Sequence, residues 1–240
     1  MQNKYKRIVL KISGESLLSD KGHDIFDSSK LDDIAKTIKL LHENDVEIGV
    51  VIGAGNIFRG KLSEKTGIDH TDADCMGMLG TLINCLAISS KLEKIGVPTR
   101  VLSAIPMNKV CEEYNYKNAR RYLKEHIVVF YAGGTGNPFC TTDSCASLRA
   151  LETHSDAILM GKNGIDGVYD KDPNVYKDAK FIKNLTYEEI LKLDLKVIDQ
   201  SSAAMLKGHN VEVKIFSAKD TNNFLKVING QDIGTTIKEN

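Results

Sequence analysis

Four stretches of the chain carry residue types that could do chemistry, and each suits a phosphate or a flat polar ring. The first is Lys11-Ile12-Ser13-Gly14. Lys11 closes the apolar run Ile8-Val9-Leu10, which reads as a strand, and strand alternation puts it on the face of Val9. There it is either a snorkelling side chain at a sheet edge or an ammonium held at the strand's carboxyl end against a phosphate. The Ser13-Gly14 pair, which lets the backbone approach a ligand, favours the second. Another is Gly53-Ala54-Gly55-Asn56-Ile57-Phe58-Arg59-Gly60-Lys61. From Gly55 it runs G-x-x-x-x-G-K, but Leu62 stands where a P-loop needs a magnesium-binding hydroxyl. It reads instead as a nest of small residues able to hold an anion, with Arg59 offering a fork of donors. A solvated loop cation is the plain alternative for Arg59.

The most informative stretch is 132–143, Ala-Gly-Gly-Thr-Gly-Asn-Pro-Phe-Cys-Thr-Thr-Asp. Thr141 and Thr142 stand where a helix N-cap belongs, and Asp143 opens the first turn. A capped helix start would need fewer residues. Gly133, Gly134 and Gly136 free the backbone, and Thr135, Asn137, Pro138, Phe139 and Cys140 supply donors, acceptors and a flat ring suited to a nucleobase. A phosphate could sit at the helix N-terminus. The last stretch, 161–173, places Lys162, Asn163, Tyr169 and Asp172 among glycines and aspartates. It reads as a hairpin, or as an aromatic ring beside Asn and Asp for a base and its ribose. Its Asp-x-Asp spacing lacks the downstream Glu of a calcium loop.

Elements that could position these loops alternate along the chain. Strands are expected at 7–12, 47–52, 99–102, 127–131, 157–160, 211–216 and 235–237. Helices are expected at 29–44, 74–95, 117–125, 143–153, 187–193, 199–207 and 221–229, the first two from apolar spacing of three and four. Such alternation predicts an α/β fold, a three-layer αβα sandwich around a mostly parallel sheet. Ligands of such sheets bind beyond the carboxyl ends of the strands, so the first three loops should line one cleft. The whole of 1–240 reads as a single domain. A change of character near residue 160 divides it into two lobes.

Composition narrows the classes further. The 240 residues balance 32 Lys and Arg against 32 Asp and Glu, which gives no reason to expect nucleic-acid or membrane-surface binding. No unbroken run of about 18 apolar residues occurs, so no transmembrane helix is expected. The apolar run after Arg7 breaks at Lys11, too soon for a signal-peptide core. Five cysteines, an odd count with no C-x-x-C pair, read as free thiols of a reducing, cytoplasmic setting rather than disulfides or a zinc site.

The strings KISGES, VVIGAGNIFRG, DADCMGML, SAIPMN, TGNPFCTTDS, KNGIDGVYDKDP and KVID occur in this order across nearly the whole chain. Together they resemble the bacterial UMP kinases of the amino-acid kinase superfamily. GNIFRG and TGNPFCTTD are the specific parts. The resemblance implies an amino-acid kinase-like fold, with an N-terminal lobe for the acceptor and a C-terminal lobe for ATP. It implies ATP-dependent phosphorylation of UMP, with Mg²⁺ entering bound to ATP and no protein metal site. By matching residue, Lys11, Ile12, Ser13, Gly14, Gly55, Arg59, Asn163, Tyr169 and Asp172 fall to ATP. Ala54, Asp74 and the run Thr135, Gly136, Asn137, Pro138, Phe139, Cys140, Thr141 and Thr142 fall to UMP. Ala54 stands where the family commonly has glycine.

Lys11 and Arg59 would neutralise charge on the transferring group, and Asp143 would orient Lys11 or a magnesium-bound water. Asp199 is a weaker candidate. The acceptor phosphate is already nucleophilic, so none of the six histidines is needed as a base. The resemblance also implies a homohexamer whose dimers meet partly through the long helix, inhibition by UTP, and regulation by GTP near 20–26, where this chain departs most from the family. Two rivals stand beside this reading: a superfamily kinase for carbamate or an amino-acid carboxylate, and a nucleotide sensor without turnover.

Overall fold

The computed structural model describes residues 3–19, 24–58, 66–162 and 164–239. Its centre is a nine-stranded sheet ordered β4-β3-β5-β2-β1-β6-β10-β11-β9. In chain order the strands are β1 Arg7–Ile12, β2 Glu47–Ile52, β3 Thr99–Ser103, β4 Glu112–Glu113, β5 Val128–Ala132 and β6 Ala157–Lys162. After β7 Val168–Tyr169 and β8 Phe181–Ile182, which pair only with each other, come β9 Asn184–Thr186, β10 Glu212–Ser217 and β11 Thr235–Lys238. Neighbouring strands of the large sheet run parallel except β10 and β11. The helices are α1 Ser28–Glu43, α2 His70–Lys94, α3 Tyr116–Lys124, α4 Thr142–Thr153, α5 Tyr187–Leu193, α6 Gln200–Leu206 and α7 Asn222–Ile228.

Strand alternation sorts the interior into two apolar layers. Ile8, Leu10, Ile48, Val50, Val128, Phe130 and Leu159 pack under α1, α2 and α7. Val9, Val51, Val129, Tyr131, Ile158, Met160 and Val213 pack under α3, α4, α5 and α6. The α/β sandwich expected from the alternation of elements is therefore present, with a helical layer on each face.

The departures are local. Helix α2 starts at His70 rather than at 74, because the Asp69 side chain accepts from the Thr71 N–H and caps it. Strands β4 and β9 are two and three residues long, too short to show a period. The stretch after residue 163 is a hairpin, with Val168 opposite Ile182 and Tyr169 opposite Phe181. By length and mean hydropathy α2 would suffice to cross a bilayer, which a search for an unbroken apolar run overlooks. In this fold it packs on β3, β5 and α1, and Cys85, Ile88 and Leu92 on its inner face are fully buried.

Candidate active site

The first three loops meet at Gly53. A Cβ on Gly14 would lie 2.4 Å from the Gly53 carbonyl oxygen and 2.7 Å from the Gly55 nitrogen, so only glycine lets the turn after β1 rest on the turn after β2. On the other side, a Cβ on Gly53 would come within 3.2 Å of Thr142 Oγ1, at the start of α4. The carboxyl ends of β1, β2 and β5 are adjacent in the sheet order, which is why loops far apart in sequence touch.

Helix α2 pins two of these loops. Asn84, fully buried, donates to the Gly53 carbonyl at 2.8 Å and trades a pair of hydrogen bonds with Asn56 at 2.8 and 2.9 Å. One turn earlier, Thr81 Oγ1 accepts from the Gly133 N–H at 2.9 Å. Both are polar side chains on the buried face of an apolar helix, and both are satisfied by loop backbone. Asp74, on the same helix, accepts from the Phe139 N–H at 2.7 Å and lies 3.4 Å from the His70 ring.

Between these loops lies a cleft of ≈530 Å³. Its walls include Ala54, Gly55, Asp74, Asn137, Cys140, Thr141 and Thr142, all singled out in the sequence. Phe139 points away: it is 72% exposed, takes a left-handed φ of 62°, and stacks on His70 with ring centroids 5.0 Å apart. Thr141 donates to Asp199, tying the end of the loop to the cap position of α6. A larger hollow of ≈740 Å³ on the β3–β4 edge, lined by Arg100 and Glu112, contains none of the four stretches. Convergence of the loops, rather than size, marks the site.

Just past Thr142, in the first turn of α4, Asp143 Oδ1 lies 2.8 Å from Lys11 Nζ, both side chains largely buried. That oxygen is buried with no partner in hydrogen-bonding geometry, so the contact is an ion pair rather than a directed bond. A second ammonium joins them. Lys162 ends β6, two residues past the Lys11–Met160 register, and on the same face by alternation. Its pKa is pushed below the ordinary 10.5, first by burial and then by the charge of Lys11, with Asp143 opposing. The sequence reading missed the role of Lys162; its signal was the same as that of Lys11, a lysine closing a buried strand. Lys11, Ile12 and Ser13 line a smaller cavity of ≈220 Å³ between the ends of β1 and β6 and helices α1 and α7.

Tyr169 and Asp172 sit on the hairpin beyond Lys162. The Tyr169 hydroxyl donates to Asp166 at 2.7 Å and its ring meets Phe181 edge-on, while Asp172 caps the following turn through Asn174. Neither lines the acceptor cleft. Arg59 and Asn163 lie outside the described residues, as do 20–23 of the segment where regulation was expected. All five cysteines are free, Cys140 exposed.

The model of the amino acid kinase family matches residues 6–217. A uridylate kinase of Limosilactobacillus reuteri is 43% identical over 235 residues, covering 98% of each chain. The chain belongs to the uridylate kinases of the amino acid kinase family. Another member, from Mycoplasma capricolum, is 43% identical over 239 residues, 99% of this chain and 100% of its own. The crystal structure of a UMP kinase from Bacillus anthracis superposes with a TM-score of 0.95 at 37% identity, covering 98% of this chain and 97% of that one. The two chains thus share one fold over nearly their whole length.

Proposed function

We propose that the chain transfers the terminal phosphoryl group of ATP to UMP, giving ADP and UDP. The observation that carries this is that Asp143, paired with Lys11, directly follows Thr141 and Thr142, which wall the cleft formed with the 133–142 loop, in a member of the uridylate kinases. UMP occupies the cleft, its ribose toward Asp74 and its base and phosphate held by 135–142 and Ala54. ATP lies at the carboxyl ends of β1 and β6, its phosphates at Lys11, Ile12, Ser13, Gly14, Gly55 and Arg59, its adenosine toward Asn163, Tyr169 and Asp172.

The acceptor oxygen belongs to a phosphate monoester with a second pKa of about 6, a dianion near neutrality that needs no base. The residues therefore act by placing two anions in line and offsetting the charge that spreads over the transferring group. Lys11 and Lys162 supply positive charge from adjacent strands of one sheet face. Asp143 fixes Lys11 and keeps the two ammoniums from repelling freely.

In this reading Mg²⁺ would enter as an ion delivered with ATP, held largely by phosphate and water. Asp143, whose Oδ1 is ion-paired with Lys11, would orient that lysine or hold a water on the ion. When bound, Mg²⁺ neutralises charge on the terminal phosphates. The wider reading places the enzyme in the cytoplasm as a homohexamer, inhibited by UTP and regulated by GTP.

The test is ADP release with ATP and Mg²⁺ against UMP, CMP, AMP, carbamate, glutamate and aspartate. Selective turnover of UMP is expected. Lys11→Ala should lower kcat by about 100-fold, the scale for removing one transition-state charge partner, in a protein that still folds, with Tm lowered by the loss of Asp143's partner. UMP bound without turnover would make the protein a sensor. Turnover of another acceptor would overturn the assignment of 135–142.

A further inference from the structure

The acceptor loop has an unusual backbone. Gly133, Gly134, Gly136 and Phe139 all take positive φ, at 73°, 58°, 84° and 62°. Such a run does not hold itself, and its internal bonding near the start is the Gly136 N–H to the Gly133 carbonyl at 3.0 Å. From α2, Thr81 holds the Gly133 N–H. From the opposite side of the sheet, Arg149 on α4 holds the next carbonyl: its guanidinium donates to Gly134 O at 2.9 Å.

Arg149 is placed at some cost. Its side chain is 3% exposed, donates to Glu152 at 2.7 Å, and lies 3.7 Å over the Tyr114 ring. Its Nε finds no partner. Tyr114 in turn donates to the same Glu152 oxygen at 2.5 Å. A buried ion pair of this kind seldom adds net stability over an apolar side chain of equal volume, and its attested use is to select one arrangement. An apolar residue here would fill the space but leave the Gly134 carbonyl without its donor. The planar fork reaches carboxylate and carbonyl at once, which a lysine cannot do.

We propose that Arg149 is a positioning residue of the acceptor site, fixing the Gly134 carbonyl and through it the conformation in which 135–142 receives UMP. It touches no substrate and acts through the loop. The inference rests on reading 135–142 as the acceptor loop, so wild-type turnover of UMP is established first; its absence would sink both, whereas turnover of UMP with unaltered Arg149 variants would sink this inference alone.

Arg149→Met, Arg149→Lys and a control, Arg7→Met, are then compared. Arg7 forms a largely buried ion pair with Glu47 at the far end of β1 and donates to the Thr153 carbonyl at the end of α4, so its loss reports loosening of the fold and of α4 with the Arg149 bond to Gly134 left in place. Arg149→Met is expected to raise KM for UMP about tenfold or more, the scale of a small misplacement, with KM for ATP within about twofold. Arg149→Lys should fall between wild type and Arg149→Met. Arg7→Met should lower Tm and leave the ratio of the two KM values unchanged. Equal rises in both KM values, an unchanged KM for UMP, or the same ratio change in Arg7→Met would overturn the proposal. Should Arg149→Met not fold, Arg149→Lys decides: a KM for UMP like wild type refutes the positioning role.

Discussion

At the residue scale, the site is two ammoniums and one carboxylate on a single sheet face. Lys11 was legible because a charge at the end of an apolar run, followed by Ser-Gly, is conspicuous in one short string. Lys162 and Arg149 were not, because their partners lie across the sheet or under a loop. Lys162 carries a consequence for pH. Burial and the neighbouring Lys11 lower its pKa, so on raising pH it loses its proton before an ordinary lysine does. Since kcat/KM reports the free enzyme, kcat/KM for ATP should fall along an alkaline limb below the ordinary lysine range. In Lys162→Arg the guanidinium stays charged throughout, and the limb should move to higher pH whatever the level of activity. Identical limbs in the two proteins would remove Lys162 from the phosphate site.

At the element scale, α2 is the splint of the active site. Its apolar positions read in sequence as one set, yet they divide. Met78 and Leu82 turn inward at 9% and 6% exposure, while Leu79 and Ile83 are 44% and 45% exposed. A hydrophobic count over the helix cannot separate these faces. The buried polar residues do, since Thr81 and Asn84 must face groups that satisfy them. Asn84→Ala removes the donor to Gly53 O and both bonds of the Asn56 exchange. It should cost about 1–3 kcal/mol, a Tm drop of several degrees. It should also raise KM for both nucleotides, because the Gly53 turn touches both Gly14 and Thr142. Thermal melts and steady-state kinetics check this; a Tm loss with unaltered KM values would mean the turn is held without Asn84.

At the scale of the whole molecule, the architecture was legible because alternating strand and helix periods admit few arrangements. The antiparallel direction of β11, itself expected as a strand at 235–237, and the short β4 and β9 were not, being fixed by neighbours rather than by their own pattern. What the single chain leaves unsatisfied is the outer face of α2. Met76, Leu79 and Ile83, spaced three and four apart, are each at least 40% exposed, forming a stripe on the helix whose other face holds the loops. A helical stripe of this kind is self-complementary across a two-fold axis, as a closed dimer requires, and contiguous apolar surface is what such interfaces cover. The proposed hexamer would then rest on it. Wild-type protein should run at a multiple of the single-chain mass in light scattering, and Ile83→Asp should reduce that mass, since a carboxylate buried between two copies meets its own symmetry mate. Because Thr81 and Asn84 lie on the same helix, loss of assembly should also weaken UMP binding, more at low than at high enzyme concentration. A wild type that runs as a single chain, or an Ile83→Asp variant of unchanged mass, would leave the stripe without this partner.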